Sequence, residues 1–404
     1  MTSQLVLLNG HGAAIASDSA VTIGEKRTYE TAEKIIPLPS PHLLAVLHAG
    51  SVNIHGMPYS VLVNEWAASL GSTRLRTTTL YMQNFVSWLN DNHSWATHKR
   101  TTNDFMRQLS DVYRRIWDDI KNTERVENLI GDPAERCLKI WTNWTEKYSR
   151  RFSLTDGKSD WAAHSFKKFK PEIDQGKEYW FNDTPMNEAI AEQIDAFTLQ
   201  YLERGHHIDR SQLTFVGFGD KKLLSSYVRI EISGFVNESL LHRIIEEETE
   251  PDVESDNVFR ILPIGQSDAI DRFLLGYADV TVDLAHDAAM DVFLSPEVAE
   301  GEENTVREPA PITDEEMRLS ARVHEAIETA FDKWSSTNFR APLFGAIAAL
   351  PLASLATAAR SLIEIQSLSQ TITGEMGTVG GPIDVAVISR DKGFQWINHK
   401  SITS

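Results

Sequence analysis

Three residues near the start of the chain have the types and spacing to do chemistry: Thr2, Asp18 and Lys34. A small second residue permits removal of an initiator methionine. A chain that then begins at Thr2 carries a hydroxyl and a free α-amine on one residue. That pair is a nucleophile with its own base, because the amine can take the hydroxyl proton directly or through a water. An α-amine ionises at about 7.7–8.0 in the absence of perturbation, close to a working pH. A carboxylate at Asp18 would hold Lys34 charged, and a lysine cation would favour the deprotonated amine and hydroxyl. The competing reading of the same residues is an ordinary Met-Thr start, an aspartate closing a turn and a surface lysine.

The elements that must position them are strands. Leu5 to Leu8 is a short apolar run, Asn9-Gly10-His11-Gly12 follows, and Ala13 to Ala16 is the return. Asn-Gly between apolar runs is a strong hairpin signal. A turn centred on Gly10 sets Thr2 opposite Asp18; a turn centred between Gly10 and His11 sets Ser3 opposite Asp18. Lys34 opens a further strand, Lys34 to Leu38, followed by Leu43 to Leu47 and a helix over 58–70 with Tyr59, Val63, Trp66 and Leu70 on one face.

Residues 71–207 then read as helical and hold seven of the ten tryptophans, at spacings expected of core and interface residues. Strands return at Gln212 to Gly219, Tyr227 to Val236 and Asn257 to Ile264. The acidic run from Glu246 to Asp256 reads as a solvated loop, and Pro296 to Pro311 as an exposed linker. Gln266-Ser267-Asp268 opens a helix, with Ser267 or Asp268 suited to its N-cap. A helix over 314–334, a long helix from Pro351 to about Thr373, a glycine-rich turn, and strands Ile383 to Ser389 and Phe394 to Asn398 close the chain. This order is that of one α+β domain with insertions, not a βαβ repeat.

Composition removes several classes of function. The net charge is −18, with 57 acidic and 39 basic side chains, which argues against binding to phosphate backbones or anionic membrane. One cysteine, Cys137, excludes a disulfide framework and zinc sites of Cys₂ or Cys₄ type, and a reducing cytoplasm fits best. No signal-type segment opens the chain. The nineteen uncharged residues from Ala341 to Ala359 are mostly Ala, Gly, Ser, Thr and Leu and are interrupted by Pro342 and Pro351, so they read as core helix rather than a membrane span. No Walker motif, complete dinucleotide glycine motif, nucleophile elbow or H-x-x-x-H spacing occurs, so no cofactor and no metal are expected.

The offsets carry a resemblance. Asp18 lies sixteen residues and Lys34 thirty-two residues after Thr2, within Ile15-Ala16-Ser17-Asp18-Ser19 and Glu33-Lys34-Ile35. This resembles the proteasome-type N-terminal nucleophile (Ntn) hydrolases, including the bacterial ring-forming threonine peptidases. Leu47-His48-Ala49-Gly50-Ser51 looks like their glycine loop, which implies Gly50 N–H as an oxyanion donor. Gly265-Gln266-Ser267 looks like their loop behind the threonine, which implies a supporting hydroxyl at Ser267. Val379-Gly380-Gly381-Pro382-Ile383-Asp384-Val385 is similar to their penultimate strand. The expected fold is the four-layer αββα sandwich of that family, with a core of 1–70, 208–280 and 345–404. Insertions would fill 71–207 and 281–344. The chain is nearly twice a usual subunit, and the family's Asp-x-x-Ser pair is not evident in it.

The function so implied is threonine-type peptide hydrolysis by Thr2, Asp18, Lys34, Gly50 and Ser267. The implied setting is a self-compartmentalising homo-oligomer acting on peptide or unfolded protein, with an ATPase or adaptor as a candidate partner. Two alternatives stand beside it: a small-molecule amidase that needs no closed ring, and a non-catalytic scaffold that keeps Met1.

Overall fold

A computed structural model describes residues 2–23, 27–29, 32–126, 132–151, 159–184, 186–204, 211–251, 258–294, 314–373 and 379–400. The chain opens with strands β1 (Ser3–Asn9), β2 (Gly12–Ser17), β3 (Val21–Ile23), β4 (Arg27–Tyr29), β5 (Ile35–Pro37), β6 (Leu43–Gly50), β7 (Asn53–Ile54) and β8 (Met57–Pro58). Seven helices follow: α1 (Tyr59–Leu70), α2 (Thr78–Asp91), α3 (His98–Val126), α4 (Pro133–Arg151), α5 (Ser159–Lys168), α6 (Lys170–Phe181) and α7 (Glu188–Glu203). Next come β9 (Ser211–Phe218), β10 (Ser226–Val236), β11 (Ser239–Thr249), β12 (Phe259–Gly265), α8 (Asp268–Leu275), α9 (Asp279–Leu294) and α10 (Asp314–Ser335). A π-helical stretch (Ser336–Arg340), α11 (Ala341–Ala349), α12 (Leu352–Thr373), β13 (Asp384–Ser389) and β14 (Gly393–Asn398) complete it.

The architecture is mixed α/β. Its two larger sheets have five strands each, in the orders β12-β1-β2-β13-β14 and β11-β10-β9-β6-β5. The chain divides into two compact units. Unit one comprises 1–32, 251–387 and 395–404; unit two comprises 33–250 and 388–394.

In unit one, β1 and β2 form the expected hairpin. Gln4 pairs with Ser17, Leu5 with Ala16 and Asn9 with Gly12. Both strands are buried along their whole length. That is why they read as continuous apolar runs rather than an alternation. The core joins Leu5, Leu7, Ala14 and Ala16 to Leu355, Ala356, Ala359, Leu362 and Ile363 of α12. Small residues at 356 and 359 let the helix lie close to the sheet, and each large aliphatic side chain buried there contributes roughly 1.5–3 kcal/mol.

The uncharged run from Ala341 is not one element. It is α11, then a break at Leu350-Pro351, then α12. Pro342 falls in the first turn of α11, where its missing N–H costs nothing. Asn9 closes this corner by donating to the carbonyls of Ile347 and Leu350 at 3.1 and 2.9 Å. No described helix is long and apolar enough to cross a membrane.

In unit two, Trp66 lies at the centre of a cluster with Tyr81, Phe85 and Phe215, all edge to face. The helices from α3 to α7 pack a second cluster around Trp141, Phe181 and Phe197. The solvated loop expected from Glu246 is corrected: 246–249 belong to β11. Glu246 accepts from Tyr227 and Arg229 across the strand pair. Glu248 accepts from Ser226 and from the free N–H groups of Thr78 and Thr79 at the start of α2. β11 is an edge strand, so its charges are used in pairing and capping rather than solvation alone. The remainder of the acidic run (252–256), the expected linker (296–311), Met1, Gly374 and Gly377 lie outside the described residues.

Candidate active site

The hairpin register decides where Asp18 meets the chain start. Asp18 N–H donates to the Ser3 carbonyl at 3.1 Å, continuing the Gln4–Ser17 pair, so Ser3 rather than Thr2 lies opposite Asp18. This is the second of the two registers the turn allows. It brings the carboxylate to the peptide unit that follows Thr2.

That unit is held at both of its polar atoms. The Ser3 N–H donates to Asp18 Oδ1 at 2.9 Å, and the Thr2 carbonyl accepts from Gln266 N–H at 2.7 Å. Gln266 follows the last residue of β12, which pairs antiparallel to β1 with Gly265 opposite Ser3. Gly265 has φ +81°, and a Cβ there would stand 2.1 Å from the Thr2 oxygen, so this close approach requires glycine.

Asp18 is 1% exposed. Its second oxygen accepts from Gly380 N–H at 3.3 Å, and the Gly380 carbonyl accepts from the N–H groups of Ser19 and Ala20 at 3.2 and 3.1 Å. The Ser19 hydroxyl donates to the Pro382 carbonyl at 2.6 Å. Two separate segments, 265–266 and 380–382, thus converge on residues 2–3 and 18–20. Thr2 itself is 7% exposed, and among the described residues no hydrogen bond engages its hydroxyl. The arrangement can orient a hydroxyl-bearing residue whose free amine would lie at the chain start.

Ser267 stands on the same turn, immediately after Gln266. It occupies the N-cap position of α8, as expected, but its side chain makes no capping bond. Its hydroxyl donates instead to Asp271 Oδ2 at 2.6 Å. The N-terminal N–H of Ala269 is satisfied from another helix, by Gln366 at 2.8 Å.

Lys34 and Gly50 belong to unit two. Lys34 precedes β5 and is 1% exposed, and its carbonyl accepts from His48 N–H at 3.2 Å. The His48 ring accepts burial, bonds the Glu33 carbonyl at 2.9 Å and feels the Lys34 charge. Burial is the main cause, and it pulls the His48 pKa down to about 4; the Glu33 bond opposes this and the lysine adds to it. Gly50 ends β6 opposite Ser211, exposed, with φ +85°. The structure therefore brings Thr2 and Asp18 together, with Ser267 on the turn that anchors Thr2. Lys34, just before β5, and Gly50, at the end of the neighbouring β6, belong to the other unit.

Sequence reasoning placed Gln266 and Gly380 in segments near the site without a role for either, and missed Gln366 and Gln370. For the two glutamines of α12 a signal existed. They continue the buried stripe of that helix at positions where the preceding residues are apolar.

No protein-family model and no curated protein matches the chain. Solved structures to which it is similar include Anbu (ancestral beta-subunit) from Yersinia bercovieri, at 10% identity and TM-score 0.30 over 99% of this chain and 88% of that one. Anbu from Hyphomicrobium sp. strain MC1 gives 9% identity and TM-score 0.28 over the same shares. The helical assembly of the Anbu complex from Pseudomonas aeruginosa gives 9% and 0.25, again over 99% and 88%. Overlays at 0.25–0.30 carry no assignment. With no family model matched, the resemblance to proteasome-type Ntn hydrolases is corrected: the offsets of Thr2, Asp18 and Lys34 do not make the chain a member of that family. Three residue types at matching separations are too little to define a family when nothing in the rest of the chain matches one.

Proposed function

We propose that the chain hydrolyses amide bonds through the hydroxyl of Thr2, made N-terminal by removal of Met1. The observation that carries this reading is the double anchoring of the Thr2–Ser3 peptide unit by Gln266 and by the buried Asp18. Anchoring of that kind fixes the Thr2 Cα and limits the directions its hydroxyl and amine can take. Fixing a nucleophile in this way is what lowers the entropic part of a barrier.

In the proposed reaction the Thr2 amine takes the hydroxyl proton as Oγ attacks the carbonyl carbon. The tetrahedral adduct collapses, the C–N bond breaks, and the proton passes to the leaving amine. An ester to Thr2 remains. Water, deprotonated by the same amine, then attacks that ester, releasing the acid and restoring the hydroxyl. Asp18 holds the strand ends in register and does not touch the substrate. The parts expected of Lys34, Gly50 and Ser267 are proposals from the sequence, to be read in the same assay from Lys34→Met, Gly50→Ala and Ser267→Ala.

Peptides are the proposed substrates. The test is intact mass before and after exposure to a peptide epoxyketone, in which Oγ adds to the ketone and the amine opens the epoxide. Loss of Met1 and one whole-probe adduct that Thr2→Ala lacks is the expected result. A retained Met1 overturns the reading. Size in solution then separates substrates: a large closed assembly fits a peptidase, and a monomer or dimer fits an amidase.

A further inference from the structure

We infer that Gln366 and Gln370 of α12 are positioning residues that set Thr2 and Asp18 relative to each other. The inference rests on Thr2 being the nucleophile proposed above. Both side chains lie in the core, 2% and 3% exposed, on the stripe begun by Leu355, Ala359, Leu362 and Ile363. A leucine would suit such a position better by hydrophobicity, because a buried amide loses its hydration unless its polar atoms are bonded. The two amide oxygens are both bonded to backbone.

Gln366 Oε1 accepts from Ala269 N–H at 2.8 Å, and Gln370 Oε1 accepts from Val379 N–H at 2.9 Å. Each bond fastens one of the segments that hold the site. Ala269 lies in the first turn of α8, tied back by the Asp271 N–H to Ser267 carbonyl bond at 2.7 Å. That turn carries Gln266, whose N–H holds the Thr2 carbonyl. Val379 adjoins Gly380, whose N–H reaches Asp18 and whose carbonyl holds Ser19 and Ala20. The two glutamines are four residues apart on one helix face, about 6 Å along its axis. A single rigid helix thus spaces the segment behind the nucleophile from the segment behind the acid.

Gln366→Met and Gln370→Met keep side-chain volume and remove the accepting oxygen. Epoxyketone labelling of Thr2 is followed by mass at several probe concentrations, which separates the maximal rate from the half-saturating concentration. Each variant is expected to lower the maximal rate about tenfold or more while the half-saturating concentration holds, since reach to the probe is unchanged and alignment is not. Gln108→Met is the control for general loss of stability. Gln108 is buried in unit two, where it donates to the Ser233 carbonyl, and its replacement should leave the labelling rate unaltered.

Amide hydrogen exchange is read in the same proteins. Faster exchange at Ser3 and Gly380 in the two α12 variants, and not in Gln108→Met, supports the brace. Wild-type maximal rates in both α12 variants overturn it. Should the wild-type protein not label at all, the hydrolase reading falls, and exchange alone decides the brace. Loosened amides at Ser3 and Gly380 then support it, and unchanged protection overturns it.

Discussion

Asp18, buried in unit one, and Asp104, partly buried in unit two, are both carboxylates bonded to polar groups, yet the groups they hold leave different atoms open. Asp104 accepts from His55 Nδ1 at 2.6 Å, an arrangement that on its own looks like the acid–histidine half of a catalytic triad. The other ring nitrogen is already occupied: His55 Nε2 accepts from Phe235 N–H at 2.7 Å. With Nδ1–H donated and Nε2 accepting, the ring has no lone pair left for a substrate proton. Asp18 accepts from the backbone N–H groups of Ser3 and Gly380, and the residue it steadies has a hydroxyl that no described residue engages. A dyad is therefore judged by what its outermost atom is doing rather than by the residue types in it.

The strongest way to break this comparison is to remove the open group. Thr2→Ala should abolish covalent labelling and any hydrolysis, a loss of at least about 10³-fold, as removal of a nucleophile does. Stability should change by no more than about 1 kcal/mol, because the anchoring bonds are to backbone. Asp18→Asn keeps the shape but sets an amide donor against one of the two N–H groups. Labelling should slow about 100-fold through misplacement of Thr2. Equal labelling rates for Asp18→Asn and wild type would show that the anchoring has no bearing on reactivity.

The closed dyad predicts the reverse. His55→Ala leaves the buried Phe235 N–H without its acceptor and removes the partner of Asp104, at a cost of about 2 kcal/mol. Urea unfolding should show that loss while the Thr2 labelling rate stays at the wild-type value. A labelling rate that falls with His55→Ala would mean the dyad is not merely structural.

The two regions also differ in how far they could be read from sequence. The hairpin was legible because Asn9-Gly10 punctuates two apolar runs, and the choice between two registers needed only the turn centre, which the backbone hydrogen bonds supply. The helices of 71–207 were legible by periodicity, and their tryptophans are interior or partly buried, as tryptophans at such spacing are expected to be. β11 was not legible. Its turn is Asn237-Glu238, both with positive φ, instead of Asn-Gly, and its outer half is a run of glutamates. Those glutamates find their partners in Tyr227, Arg229 and the start of α2, contacts that no local pattern announces. Gln366 and Gln370 failed for the same reason. A polar residue in an apolar stripe says that something is bonded to it, but not which of two distant backbone segments.

Acid sharpens the comparison with the smallest effect. His48, in unit two, has a folded-state pKa of about 4 against an ordinary value of 6.5, mainly because burial disfavours the charged ring. Between those values the unfolded chain binds a proton that the folded chain does not. Stability is therefore fully present above 6.5 and is lost as pH falls toward 4. From pH 7 to pH 5 the loss is about 2 kcal/mol for this one group. His55 is lowered too, again chiefly by burial, and protonation of its Nε2 would set one N–H against the Phe235 N–H, so its contribution has the same sign. Urea midpoints measured at pH 7 and pH 5 should fall together with these titrations. His48→Gln, which can still donate to the Glu33 carbonyl but cannot titrate, should flatten the dependence by about half or more. A midpoint that does not move between the two pH values, or a slope that His48→Gln leaves intact, would assign the acid sensitivity to groups other than these buried rings.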